Sequence, residues 1–204
     1  MATKTAIVFA GGGSLGAVQV GMLRALVEAN VRFDVVVGAS VGAINGAYFA
    51  ARPDLEGVEA LASFWCGLRK TDIFPLSWLD TCRGLIKGRG FLLQPAALNR
   101  LLGQALPIHR IEDATLPLHI VTTDLLSGAK TVPSSGELRQ ALLASAAIPL
   151  VFPCVKIADQ FLIDGSVASN TPISTAVALG ATNVVVVPTG VSCALPQPPR
   201  GLIA

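Results

Sequence analysis

The sequence predicts an α/β fold with a mainly parallel central sheet, and three observations carry that reading. Val35-Val36-Val37 is an apolar β-branched run that stops at Gly38, as a buried parallel strand would. An apolar stretch of small residues from Val41 to Ala51 follows at once and reads as a helix. Thr5-Ala6-Ile7-Val8-Phe9-Ala10 is a second such strand, separated from the first by a glycine loop and a helix. A strand, loop, helix and strand in that order pair in parallel.

Composition sets the limits. A chain of 204 residues is most simply one domain with a sizeable core. Hydrophobic residues at 52% against charged residues at 14% exclude disorder. A net charge of +2 gives no electrostatic pull on nucleic acid, so none is expected as a partner. No apolar run approaches the length of a membrane span. The stretch from Met1 to Ala10 is too short in apolar residues for a signal peptide and reads as a strand, so a cytoplasmic location is expected. Cys66, Cys82, Cys154 and Cys193 show no metal-ligand spacing and read as scattered reduced thiols. A mean hydropathy of +0.63 asks for an unusually complete core, or for apolar surface kept for a lipid or a partner.

Taken in order, the strand from Thr5 to Ala10 runs into Gly11-Gly12-Gly13-Ser14-Leu15-Gly16. Ala17 to Asn30 then places Val18, Met22, Leu23, Leu26 and Val27 at helical spacing. Consecutive glycines let backbone N–H groups share one concavity beside a helix N-terminus, which suits an anion. Two chemistries use such a nest. Gly11, Gly13 and Gly16 satisfy the dinucleotide pattern, but that reading needs an acidic residue after the second strand, and Asp34 precedes it. An oxyanion hole over Gly11, Gly12, Gly13 and Ser14 is the preferred reading. A plain turn would not require three glycines and their entropic cost.

The second strand ends in Gly38-x-Ser40-x-Gly42, the pattern of a nucleophile elbow. A strand that turns sharply into a helix strains the backbone at the serine and needs nearly bare neighbours two positions away. The hydroxyl then stands at the positive end of the following helix, where developing negative charge is favoured. A chain with 20 glycines can match the pattern by chance, so its position between strand and helix is what distinguishes it.

Asp54 to Leu68 predicts an amphipathic helix with Asp54 as N-cap after Pro53. Thr71 to Gly90, with Phe74-Pro75 and Trp78, reads as loop or short helices, and Lys87 and Arg89 as a solvated pair. Pro95 to Leu106 reads as a helix with proline in its first turn. Leu116 to Asp124 reads as a strand, Leu126 to Ala129 as a turn and Lys130 to Pro133 as a hairpin return. Glu137 to Ala144 reads as a helix that must end by Pro149. Gln160 to Ile163 is a short strand closed by Asp164-Gly165-Ser166, and Pro172 opens a helix that Gly180 ends after Leu179. Asn183 to Val187 is a last parallel strand. The expected domain covers residues 1–188. The proline-rich stretch 189–204 reads as a tail, the start of a truncated C-terminal segment.

Ser40 needs a proton acceptor. The chain has two histidines, His109 and His119, and none near the C-terminus, where an α/β-hydrolase places its own. A carboxylate remains. Asp164, directly after Phe161-Leu162-Ile163, sits in apolar surroundings that would raise its basicity.

Gly-rich nest, Gly38-x-Ser40-x-Gly42 and Asp164-Gly165, in that order, resemble the patatin-like phospholipase family. Gly21-Met22-Leu23, Ala144-Ser145-Ala146-Ala147-Ile148-Pro149 and Asn170-Thr171-Pro172 extend the resemblance from Thr5 to Val187. The resemblance implies a three-layer α/β/α sandwich and a Ser-Asp dyad that hydrolyses acyl esters of lipids without a metal or cofactor. Ser40 would be nucleophile and Asp164 base. The amides around Gly12, Gly13 and Ser14 would form the oxyanion hole, with Gly16, Gly38, Gly42, Gly165 and Ser166 as motif residues. The chain departs from the family at Leu15, where a basic residue is usual, and at Ser166, where glycine or alanine is usual. A lipid or ester is the expected partner, with peripheral membrane contact left open and the oligomeric state unassigned. The alternative is a non-catalytic lipid- or anion-binding module on the same fold.

Overall fold

A seven-stranded sheet organises the structure, a computed structural model that describes residues 3–69 and 91–190. The expected loop from Thr71 to Gly90, Cys82, Cys193 and most of the proline-rich tail lie outside the described residues. The strands are β1 (Thr5–Phe9), β2 (Val35–Ala39), β3 (Leu118–Asp124), β4 (Lys130–Thr131), β5 (Val155–Ile157), β6 (Gln160–Asp164) and β7 (Asn183–Val187). Hydrogen-bonded pairing links them as β5-β6-β3-β2-β1-β7, with β4 also on β3.

The parallel part is β7-β1-β2-β3, with Ala6 opposite Val35, Ile7 opposite Val185 and Ala39 opposite Val121. β4 and β6 pair antiparallel with β3, and β5 pairs antiparallel with β6. The expectation of a parallel sheet therefore holds for the half built from βαβ units. In the other half, β3–β4 and β5–β6 are short hairpin returns, antiparallel by construction, and β6 joins β3 antiparallel over a longer connection.

Successive backbone groups of a strand face opposite edges. Val36 N donates to Pro117 O and Leu125 N to Phe161 O, and 117 and 125, which flank β3, fall on the same side of its alternation. β2 and β6 thus use one edge of β3, end to end. Ile120 N to Pro133 O and Asp124 N to Ala129 O use the other edge, where β4 lies. This places the start of the elbow and the end of β6 at adjoining positions, Ala39 on Val121 and Asp164 on Thr122.

Helices cover both faces: α1 (Gly16–Glu28), α2 (Val41–Ala51), α3 (Leu55–Gly67), α4 (Ala96–Ala105), α5 (Leu138–Ser145), the single turn α6 (Ser166–Ser169) and α7 (Ile173–Ala178). Alternation along the strands divides the core. Ile7, Phe9 and Val36 face a large cluster with Leu23, Phe49, Leu61, Leu102 and Leu142 of α1 to α5. Ala6, Val8, Val35 and Val37 face a smaller cluster with Ala176 of α7. The result is the three-layer arrangement, with parallel strands buried on both faces. α2 is buried from Val41 to Ala50, as its lack of charged side chains requires. Asp54 caps α3, its Oδ1 accepting from Gly57 N at 2.8 Å.

Candidate active site

β2 turns into α2 at Ser40, which has φ 53° and ψ −129°. That left-handed φ is strained for a residue with a side chain. The glycines on either side make the turn possible. A β-carbon on Gly38 would lie 2.5 Å from Gly42 O, and one on Gly42 would lie 2.5 Å from Phe9 O and Ala10 O. Strand, helix and the end of β1 meet with no space for a methyl group.

The Ser40 hydroxyl, almost fully buried, donates to Asp164 Oδ2 at 2.7 Å. Asp164 is the last residue of β6 and is 3% exposed. Its other oxygen, Oδ1, accepts from Ser166 N at 2.7 Å. Its backbone is held from both sides: Asp164 N donates to Ala147 O, and Asp164 O accepts from Thr123 Oγ1 at 2.8 Å. Burial holds the carboxyl pKa above the usual carboxylate range, opposed by hydrogen bonds from the Ser166 amide and the Ser40 hydroxyl. Gly165 is required by its neighbour, since a β-carbon there would sit 2.0 Å from Val121 O.

The glycine loop lies between β1 and α1. Gly13 has φ 57° with open space beside its Cα, and a single 3-10 turn from Gly13 to Leu15 leads into α1. The amide of Gly11, expected among the nest donors, is donated instead to Asn170 O at 2.9 Å. Among the described residues the amides of Gly12, Gly13 and Ser14 have no carbonyl acceptor, so they are the loop's free donors. Gly11 packs against Ser166 and Asn170, where a β-carbon would lie 2.1 Å from Ser166 Oγ. The loop and the Asp164-Gly165-Ser166 turn are therefore in contact. Asp34, weighed above as a ribose ligand, accepts from Thr5 N at 2.7 Å at the opposite end of β1. Its carboxylate is thereby placed away from the glycine loop.

The sequence alone assigns no role to several residues that support the site. Gln19, fully buried on α1, donates to Ala10 O at 2.9 Å and to Val187 O at 2.8 Å. Asn45 of α2 donates to Gly16 O and Gln19 Oε1, and accepts from Trp65 Nε1. Thr189 donates to Gly11 O at 2.7 Å, which ties the first residue of the expected tail to the loop. Ser145, at the end of α5, accepts from Ser40 N at 2.8 Å and donates to Val121 O at 2.7 Å. An amide side chain inside an apolar helix is the signal that could have found Gln19 and Asn45, and Ser145 lies in the Ala144 to Pro149 stretch that carries part of the resemblance. Neither histidine hydrogen-bonds to Ser40 or Asp164. His119 is half-buried in β3, and burial followed by the Lys4 charge lowers its pKa.

A family model described as patatin-like phospholipase matches residues 7–177. Over 91% of its length the chain is 32% identical to patatin-like phospholipase domain-containing protein 7 of Mus musculus and covers 13% of it. It is 30% identical to patatin-like phospholipase domain-containing protein 6 of Homo sapiens, again over 91% of the chain and 13% of the relative. Neuropathy target esterase sws of Drosophila melanogaster is 28% identical over 90% of the chain, which covers 13% of that protein. The chain thus spans a small part of the length of these curated relatives. Among solved structures, VipD from Legionella pneumophila has a TM-score of 0.59 at 15% identity, with 83% of this chain and 47% of that one covered. With the matched region running from β1 into α7, the chain belongs to the patatin-like phospholipase family.

Proposed function

We propose that the chain is a serine acyl hydrolase that cleaves carboxylic esters of lipids. The 2.7 Å hydrogen bond from Ser40 Oγ to Asp164 Oδ2 is the observation that carries this reading. Ser40 Oγ attacks the ester carbonyl carbon and passes its proton to Asp164 Oδ2. The carbonyl oxygen takes up the negative charge beside the free amides of Gly12, Gly13 and Ser14. Collapse of the tetrahedral species expels the alcohol, which takes the proton from Asp164. Water then attacks the acyl-serine with Asp164 again as base, and Ser40 regains its proton. The raised pKa of Asp164 suits it to this exchange better than an exposed carboxylate.

Exposed apolar side chains adjoin the site along the chain. Leu15 follows the loop, Ile148 and Leu150 follow Ala147, and Val167 follows Ser166. They favour an acyl chain or a lipid surface over a polar ester. No helix among the described residues is long and apolar enough to cross a membrane.

The reading is tested with a series of p-nitrophenyl esters of increasing chain length, comparing wild type with Ser40→Ala. Hydrolysis should disappear in the variant while its fold is retained. Undiminished turnover would end the proposal. The 55% exposure of Leu15 favours a second reading, an apolar-ligand module without chemistry. A fluorophosphonate separates the two: labelling of Ser40 supports the hydrolase, and an inert Ser40 supports the module.

A further inference from the structure

We propose that Ser145 is a positioning residue: its side chain bridges the break in the sheet at the elbow and fixes the backbone of Ser40. This inference rests on the hydrolase reading above. Register shows what the bridge replaces. Val36 N donates to Pro117 O, and the same parallel ladder continued four residues on both strands would join Ser40 N to Val121 O. That bond is absent because the chain leaves the sheet at Ser40 with φ 53°. The Ser145 hydroxyl stands between the two groups, accepting from Ser40 N at 2.8 Å and donating to Val121 O at 2.7 Å.

Only a side chain that donates and accepts through one atom can fill that gap, so the chemistry selects serine or threonine. Ser145 is fully buried, so the bridge is closed to bulk solvent. The same helix end also holds the other half of the site. Ser145 O accepts from Gly165 N at 3.2 Å, and Ala147 O accepts from Asp164 N at 3.0 Å. Residues 145–147 therefore set Ser40 and Asp164 against each other across the junction of β2 and β6. Without the hydroxyl, Ser40 N and Val121 O are left unpaired in the interior, and the elbow relaxes to recover a partner.

The test measures kcat and KM on a short p-nitrophenyl ester, and the first-order rate constant of Ser40 modification by a fluorophosphonate at fixed concentration. That rate constant belongs to the folded molecules and does not fall when some of them are misfolded. Ser145→Ala should lower kcat and the modification rate constant about 10- to 100-fold with KM within about twofold, the effect of a sub-ångström misplacement. Ser145→Thr should restore most of both. Ser145→Cys keeps the volume but hydrogen-bonds weakly, and should behave like the alanine variant. Tyr48→Phe, which removes the Tyr48 hydroxyl bond to Ala105 O, is the control for lost stability and should leave both constants unchanged.

A variant of Ser145 lacking the hydroxyl, with wild-type rate constants and only a smaller reactive fraction, overturns the proposal. If wild type neither hydrolyses esters nor reacts with the probe, the hydrolase reading has failed, and amide hydrogen exchange at Ser40 then decides the bridge by itself. Faster exchange in Ser145→Cys than in wild type supports the bridge, and equal protection overturns it.

Discussion

The Cα of Gly165 is pressed against the carbonyl of Val121, so closely that a β-carbon at Gly165 would come within 2.0 Å of that oxygen. The same oxygen accepts from Ser145, and Gly165 directly follows Asp164. Gly165→Ala should therefore push the end of β6 away from β3. Overpacking of this kind costs about 1–3 kcal/mol. We expect a lower Tm together with a loss of kcat greater than the loss of folded protein, measured by thermal unfolding and ester hydrolysis on the same samples.

Asp164→Asn should abolish most hydrolysis, since an amide cannot take the proton of Ser40. A loss of at least about a hundredfold in kcat is expected for a general base. Stability should move the other way. Burial raises the pKa of Asp164 above its ordinary 3.8, so the folded state holds this proton more tightly than the unfolded chain does. The stability it contributes is present below the unfolded pKa and is lost as pH rises through the folded one. Asp164→Asn, uncharged at every pH, should be more stable than wild type at pH 7. The difference should vanish on acidification, as read by denaturant unfolding at a series of pH values.

The same shift predicts the acid limb of activity. The base works only when ionised, so kcat/KM should fall on acidification with a midpoint above 3.8. A limb centred at or below that value would show that another group controls the reaction.

Gln19→Leu keeps the approximate volume and removes donors to Ala10 O and Val187 O, together with an acceptor for Asn45. Each buried group left without a partner costs about 1–3 kcal/mol. The variant should unfold at lower denaturant concentration. Its folded fraction should hydrolyse esters more slowly, because Ala10 and Gly16 bracket the glycine loop.

Leu150, 75% exposed, tests the contact with lipid assemblies. Leu150→Asp should leave hydrolysis of a soluble short-chain ester unchanged. Release of fatty acid from phosphatidylcholine vesicles should drop about fivefold, in line with about 1 kcal/mol of lost apolar burial.

Much of this architecture is legible in local sequence. Val35 to Gly38 had to be an interior strand, and Gly38 and Gly42 had to flank a bend that excludes side chains. Asp54 declared itself as a cap because its position before an apolar period has a local physical cause. Asp164 could be singled out because the carboxylate follows an apolar strand. Ser145 stands in a stretch that carries the resemblance, but its role could not be read, because its partners lie 24 and 105 residues away. The assignment of Gly11 as a free donor failed for the same reason, since its acceptor belongs to Asn170. β5, with three residues, is too short to show a period.

The junction of β2 and β6 on one edge of β3 also has a temporal meaning. Ser40 and Asp164 are 124 residues apart in the chain, and the carboxylate arrives on a strand that cannot dock until β3 is in place. During synthesis the hydroxyl leaves the ribosome long before its partner does. A nascent or clipped polypeptide that stops short of β6 holds one half of the pair and no means of assembling the other. On the hydrolase reading, the pair is assembled only when the long-range sheet is complete.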